Sequence, residues 1–303
     1  MTLEQLRIFV AVAERQHLTR AAAELGLTPS AVSAAIKALE SAHDVRLFER
    51  VGRGIELSRL GQAFLLEARA TLARARSAQA LLSDIGGLTK GSVDIHASQT
   101  IANYWLPSRL MRFRQRYPGI AVRLVVGNTS TVTQAVIDGS AELGFIEGSI
   151  DQAALAVTAV AQDRLVIVVP AGDRPARPRR GAIARMLGGL DWVMRESGSG
   201  TRSEFEAALR GLGVDPASLR VALTLPSNEA VLSAVRAHGG AAALSQAVVR
   251  PFVDNGQLAV LDVALPSRSF TVLHHKERRL SRAAAELEKL IRAPDQRAGS
   301  SAK

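Results

Sequence analysis

The feature that most constrains the fold is a pair of short helical segments separated by a glycine, in the run LTRAAAELGLTPSAVSAAIKALE. Gly26 can adopt the left-handed conformation that ends a helix at low cost. Thr28 is then expected to cap the next helix, and Pro29 suits the first helical position, where its missing N–H is not needed. Two helices joined by such a turn form the helix-turn-helix pattern, whose second helix enters the major groove of DNA.

The flanking residues are expected to complete a small folded unit around this pair. The preceding run TLEQLRIFVAVAERQ places Leu6, Phe9 and Val10 at helical spacing, which predicts an amphipathic helix. Within the pair, Thr19 is expected to cap a helix over residues 20–25. The following run RVGRGIEL predicts a short hairpin, a wing able to touch phosphates or the minor groove.

The exposed face of the second helix favours DNA over simple solvation. An ordinary helical hairpin needs the same apolar periodicity, but its outer face would more usually carry Glu and Lys. Here that face is mostly small or hydroxylic, which lets a helix sit deep in the groove and donate to bases or phosphates. The predicted DNA-contacting residues are Thr19, Arg20, Thr28, Pro29, Ser30, Ser33, Ala34, Lys37, Arg50 and Arg53.

A long helical segment is predicted from Ser58 to about Ile85. Its apolar and small residues recur at spacings of three and four, which is typical of a coiled coil. Because nothing else in the segment could cover this stripe, we expect it to pair with a second subunit rather than with its own domain. The run GGLTKGS after it predicts a hinge. The stripe consists of Leu60, Phe64, Ala68, Thr71, Ala75, Ala78, Leu82 and Ile85.

Composition narrows the class of protein. Hydrophobic residues make up 47% and charged ones 22% of 303 residues, so folded cores are expected and disorder is not. The chain has no cysteine, which excludes disulfides and thiolate metal sites. The formal charge of +10 is not concentrated near the N-terminus, so charge alone is weak evidence for DNA. No leader-like or membrane-spanning run is apparent, and we expect a cytoplasmic protein.

From Ser92 onward, strand-like runs alternate with helical ones, including SVDIHAS, AVRLVVGN, AELGFIEG and RLVIVVP. Such alternation predicts an α/β fold with largely parallel sheets. In these folds ligands bind beyond the carboxyl ends of the strands. Polar residues follow several of the predicted strands, and although each could be a mere helix cap, together they predict a shared pocket.

The run LTRAAAELGLTPSAVSAAIKALE…VRLFER resembles the N-terminal signature of LysR-type transcriptional regulators, and the likeness extends over nearly the whole chain. The resemblance implies a regulator that binds double-stranded DNA as a homodimer or homotetramer, with RNA polymerase as a candidate partner and a location at the cytoplasmic nucleoid. The implied organisation is a winged helix-turn-helix domain (1–57), a linker helix and hinge (58–87), and a two-lobed effector domain like periplasmic binding proteins (88–303; lobe I about 91–161 and 269–295, lobe II about 162–268).

The combination ASQTIANYWLP…RESGSGTRSEFE…NEAV is most similar to the subgroup that controls sulfur-assimilation and carbon-fixation genes. This resemblance implies a small anionic effector, with Arg202 as the one candidate cation. Arg202 could equally form a surface ion pair with Glu206 at i+4, and the sequence leaves both open. No cofactor or metal is expected. The implied effector-binding residues are Ser98, Gln99, Thr100, Asn128, Thr129, Glu147, Ser199, Thr201 and Arg202.

Two other functions compete with that of a regulator. An enzyme is not expected, because Ser199 lies in ESGSG rather than G-x-S-x-G and no phosphate-loop lysine motif is present. The six histidines also lack the spacing of a metal-binding helix. A solute-binding protein for a small anion would fit the C-terminal part but would leave residues 1–57 unexplained.

Overall fold

The computed structural model describes residues 1–52, 54–84, 91–173, 183–237 and 240–293. The predicted hinge glycines, Gly86 and Gly87, and the predicted phosphate contact Arg53 lie outside the described residues, as does Ile85. The chain divides into two compact units, residues 1–85 with 138–140, and residues 86–137 with 141–303. No helix in the described ranges is long and apolar enough to cross a membrane.

The first unit is a winged helix-turn-helix. Phe9 is fully buried at its centre, with ring centroids 5.4 Å from Phe48 of the wing and 4.9 Å from Phe64. Gly26 has a φ of 66°, which confirms the left-handed turn between the two short helices. The elements are α1 (Leu3–Arg15), α2 (Leu18–Leu25), α3 (Pro29–His43), β1 (Phe48–Val51), β2 (Gly54–Leu57) and α4 (Arg59–Asp84).

One expectation about this unit was wrong, and another was incomplete. Helix α2 begins at Leu18 with His17 as its N-cap, so Thr19 lies inside the first turn and does not cap it. The first half of α4 packs against its own domain, because Ala68 and Leu72 are buried in the core that contains Phe9. The apolar residues of α4 pack against those of α1, a contact between separate segments that the sequence of α4 alone does not show.

The second unit is α/β. Strands β3, β4 and β5 run parallel, and the connected sheet has the order β10-β6-β11-β5-β3-β4, with β9 also on β6. Strands β7 and β8 form a further parallel pair. The elements are β3 (Gly91–Ser98), α5 (Leu106–Arg116), β4 (Ile120–Gly127), α6 (Thr129–Asp138), β5 (Leu143–Glu147), β6 (Leu155–Pro170), α7 (Ile183–Gly188), β7 (Asp191–Arg195), α8 (Gly200–Gly211), β8 (Arg220–Leu225), α9 (Asn228–Arg236), β9 (Ala242–Ser245), α10 (Gln246–Asp254), β10 (Leu258–Val260), β11 (Ser267–His275) and α11 (Arg282–Arg292).

Two lobes with separate cores are joined by β6 and β11. These strands pair antiparallel from Leu155 opposite His275 to Arg164 opposite Ser267. Helix α11 returns to lobe I, where it joins the core that contains Phe113. In lobe II, α8 and β7 pack around Trp192. The first turns of α8 and α9 lie against lobe I, beside Glu147 and Gln99 respectively.

Candidate DNA-binding face and effector cleft

The N-terminal half of α3 carries most of the predicted DNA-contacting residues. Thr28 Oγ1 accepts a hydrogen bond from the Ala31 N–H at 3.2 Å, which confirms it as the N-cap, and Pro29 stands at the start of the helix. Val32, Ile36 and Leu39 on the opposite side are buried. The outward residues Pro29, Ser30, Ala34 and Lys37 are exposed, and Ser33 is half-buried; Thr19 and Arg20 on α2 are also exposed.

The wing is fixed to α3 by one carboxylate. Glu40 Oε1 accepts from the backbone N–H groups of Leu47 at 2.7 Å and Phe48 at 3.2 Å, at the start of the β1–β2 hairpin. Arg50, on β1, is exposed. The position of the wing relative to α3 is therefore fixed, so that both elements can contact the same DNA site.

Predicted effector residues meet at one edge of the lobe I sheet. Because β3 pairs in parallel with both β4 and β5, the carboxyl ends of the three strands lie side by side. Ser98 ends β3, Asn128 follows β4, and Glu147 ends β5. Ser98 and Glu147 are only 2% and 4% exposed. The structure thus brings residues from three separate segments to the place where α/β folds bind ligands.

The first turn of α8, from lobe II, packs directly on this edge. A Cβ added to Gly200 would overlap Thr129 Oγ1 and would lie 2.9 Å from Glu147 Oε2, so the close approach depends on glycine. Ser199 precedes the helix, is buried, and makes no side-chain capping bond. The N-terminus of α8 therefore points its positive end at lobe I, close to the Glu147 carboxylate.

Asn228, the first residue of α9, bridges the two lobes. Its side-chain amide donates to Thr100 Oγ1 at 3.1 Å, and its Oδ1 accepts from Arg195 Nη1 at 2.5 Å. Its backbone N–H donates to Gln99 Oε1 at 2.8 Å. Asn228 is 0% exposed, so water cannot replace these bonds without the lobes separating.

Glu196 makes a second bridge beside the first. Its carboxylate accepts from Arg195 Nε at 2.7 Å and Nη2 at 2.9 Å, and its Oε1 also accepts from Asn128 Nδ2 at 3.2 Å. Burial raises the pKa of Glu196, but the bonds from Arg195 and Asn128 outweigh it, and the pKa lies below its ordinary value. Together the two bridges form a chain of polar contacts from Thr100 to Asn128 by way of Arg195.

Thr201 is held by a buried ion pair on the crossing strands. Arg268 on β11 donates from Nη1 to Thr201 Oγ1 at 3.1 Å and from Nε to Asp163 Oδ2 on β6 at 2.8 Å. The side chains of Arg268 and Asp163 are 1% and 6% exposed. Because Thr201 accepts this bond, its hydroxyl proton remains available to donate.

Ser98 stands out among the hydroxyls. Within the described part of the chain, its Oγ is buried and has no hydrogen-bond partner. Leaving a buried hydroxyl unpaired costs about 1–3 kcal/mol. A group that supplies an acceptor or donor at this strand end would recover that energy.

Of the two alternatives that the sequence leaves open for Arg202, the structure shows the ion pair with Glu206. The Arg202 guanidinium donates from Nε to Glu206 Oε1 at 2.8 Å and from Nη1 to the Arg195 carbonyl at 3.1 Å, so it is engaged on its own lobe. Arg195, which the sequence analysis does not single out, is a buried cation bonded to both residues that bridge the lobes, Asn228 and Glu196. Its position directly after the apolar run of β7 was a usable signal, because strand ends mark the ligand edge.

Family models match almost the whole chain. Residues 3–62 match the model for a bacterial regulatory helix-turn-helix protein of the lysR family, and residues 86–294 match the LysR substrate binding domain. This chain belongs to the LysR family of transcriptional regulators. The N-terminal match accounts for the residues that a solute-binding protein would leave unexplained.

Two similar full-length regulators and one solved regulatory domain illustrate the match. The HTH-type transcriptional regulator YeiE of Escherichia coli strain K12 is 34% identical over 93% of this chain and 94% of its own. The RuBisCO operon transcriptional regulator of Allochromatium vinosum is 31% identical over 96% of this chain and 95% of its own. The regulatory domain of CcmR from Synechocystis PCC6803, solved in complex with 2-PG, is 27% identical with a TM-score of 0.57, covering 67% of this chain and 96% of that domain.

Proposed function

We propose that this LysR-family regulator binds specific DNA sequences through α3 and the wing, and that a small anion in the cleft between its lobes changes that binding. The role is one of binding without catalysis, carried out in the cytoplasm at the nucleoid. Apart from the half-buried Ser33, the predicted DNA contacts on α3 are exposed around a capped helix N-terminus, which suits both groove entry and phosphate binding.

The observation that carries the effector proposal is the set of buried polar groups between the lobes. Ser98, Thr100, Ser199 and Thr201 are each at most 3% exposed, yet they are hydroxyl-bearing residues at strand ends and a helix start. Hydroxyls and helix-terminal N–H groups are the donors that bind small oxyanions. The 2-PG complex of the related CcmR domain supports an anionic metabolite as the ligand class.

The assembly we propose is a homodimer or a dimer of dimers. On α4, Leu60 and Leu66 are 49% and 51% exposed although the helix already buries one face in its own domain. The edge strand β4 exposes Val125 and Val126, at 49% and 48%. A second subunit would cover these exposed apolar side chains. A dimer would also present two reading helices to two DNA half-sites.

A paired measurement tests the link between cleft and DNA. The full chain is screened by thermal shift against sulfate, phosphate and 2-PG, since binding to the folded state alone raises the melting temperature. DNA affinity is then measured with and without the probe that shifts melting most. We expect the probe to change DNA affinity in the wild type, and Thr100→Val to lose that response while basal DNA affinity stays within about twofold.

Ser33→Arg serves as the reciprocal control, because Ser33 lies on α3 and not in the effector unit. It should alter DNA affinity and leave the thermal shift by the probe unchanged. If Thr100→Val lowers basal DNA affinity as much as it lowers the response, the cleft is not a separate regulatory site. If no probe changes DNA affinity, the anionic effector is wrong.

A further inference from the structure

We infer that the anionic group of the effector binds Arg195 by replacing the carboxylate of Glu196, a built-in anion that holds the two lobes together. This inference rests on the proposed function, because it names the group that the cleft anion displaces. It assigns Arg195 as the effector-binding cation and Glu196 as its internal competitor.

Glu196 already makes the contacts expected of an anion bound between the lobes. Its two carboxylate oxygens accept hydrogen bonds from Arg195 Nε at 2.7 Å and Nη2 at 2.9 Å, in the paired arrangement that a guanidinium makes with an oxyanion. The same carboxylate accepts from Asn128 on the facing lobe at 3.2 Å. A ligand that closed the cleft would need just this combination of one bond set from each lobe.

The two partners differ in how freely they can move. The Arg195 side chain is 4% exposed and Nη1 is held by Asn228, so the guanidinium stays where it is. The Glu196 side chain is 25% exposed and can turn toward water. A buried guanidinium left without a counter-charge is strongly destabilising. Glu196 therefore leaves only when another anion takes its place, which makes departure depend on the ligand.

These contacts define the ligand class. The group on Arg195 must offer two acceptor oxygens in the geometry of a carboxylate, sulfate or phosphate. A neutral ligand would leave the guanidinium uncompensated, so glycerol and similar polyols should not displace Glu196. The ligand must also be small, because only one side chain separates Arg195 from each of two lobe I residues: Glu196 from Asn128, and Asn228 from Thr100.

Calorimetric titration of the full chain with sulfate tests the inference directly. Glu196→Gln removes the competing charge and keeps the shape, so we expect it to bind sulfate roughly tenfold more tightly than the wild type, since charge-assisted bonds are about twice as strong as neutral ones. Glu206→Gln is the matched control, because it removes the same charge from the neighbouring Arg202 pair, which does not reach lobe I. It should bind sulfate within about twofold of the wild type.

A second variant keeps the test decisive if Glu196→Gln folds poorly. The double variant Arg195→Gln with Glu196→Gln lacks both charges of the pair. Without the guanidinium, it should lose the tighter sulfate binding of Glu196→Gln. If the single variant melts early, sulfate should restore its melting temperature and glycerol should not; failure of sulfate to do so overturns the inference. Equal sulfate affinity in Glu196→Gln and wild type, or equal tightening in Glu206→Gln, also overturns it.

The outcomes separate this inference from the proposed function. If a probe anion regulates DNA binding in the wild type but Glu196→Gln leaves sulfate affinity unchanged, only the displacement of Glu196 is wrong. If neither the wild type nor Glu196→Gln binds sulfate, the displacement of Glu196 is refuted. The DNA-binding role is unaffected by that result, because it is tested by the separate DNA-affinity measurement.

Discussion

Replacing Asn228 with alanine should destabilise the effector unit far more than an ordinary surface change. The substitution removes the bond that Asn228 accepts from Arg195 at 2.5 Å and the one that it donates to Thr100 at 3.1 Å. A hydrogen bond to a charged group contributes about 1.5–3 kcal/mol and a neutral one about 1 kcal/mol. Because Asn228 is 0% exposed, water does not replace either, and we expect a loss of about 3 kcal/mol in the free energy of unfolding.

Urea unfolding followed by tryptophan fluorescence measures this loss. The two tryptophans of the chain, Trp105 and Trp192, both lie in the effector unit, so the signal reports on that unit alone. Asn103→Ala is the matched control, because Asn103 also crosses the lobes, to Glu229 at 3.2 Å, but is exposed. It should cost less than about 0.5 kcal/mol. Equal losses in the two variants would refute the claim that the buried bridge holds the lobes together.

Three further predictions concern the core and helix cap of the N-terminal unit and the Glu196 carboxylate. Phe9→Ala should cost the N-terminal unit about 3–5 kcal/mol and weaken DNA binding in gel shifts, with tryptophan-reported unfolding unchanged. Thr28→Ala should cost about 1 kcal/mol, seen as a lower melting temperature of the N-terminal unit by circular dichroism, because α3 loses its N-cap. Since the folded pKa of Glu196 is lowered, its stabilisation is present above the ordinary value of 4.5 and is lost as pH falls through the folded value. Glu196→Gln should therefore flatten the acid side of the effector unit's urea-midpoint profile.

The local features of the fold were predictable from the sequence. Gly26 and the Thr28-Pro29 pair determine the turn and the start of α3 through backbone preferences that act within a few residues. The positions of Ser98 and Glu147 at strand ends followed from the same kind of local reading, together with the general location of ligands in α/β folds.

The pairings between distant segments were not predictable. Arg195 and Asn228 lie 33 positions apart, and Asn228 and Thr100 lie 128 apart, so only the closed fold shows that they share a cleft. Glu206 forms an ion pair with Arg202 one helical turn away; the sequence showed that this pair was possible but not that it forms. The cover that α1 gives to the first half of α4 is also a tertiary contact, invisible in the periodicity of α4 itself.

Selection of genomic DNA fragments by the full chain across a salt titration tests whether the protein recognises specific DNA sequences. A sequence-specific reader should lose affinity steeply as salt rises, because phosphate contacts release counterions, yet retain a subset of fragments that share a sequence. Ser33→Arg should change which fragments are retained. If all fragments are lost together as salt rises, with no sequence in common among the last retained, the chain does not recognise specific DNA sequences.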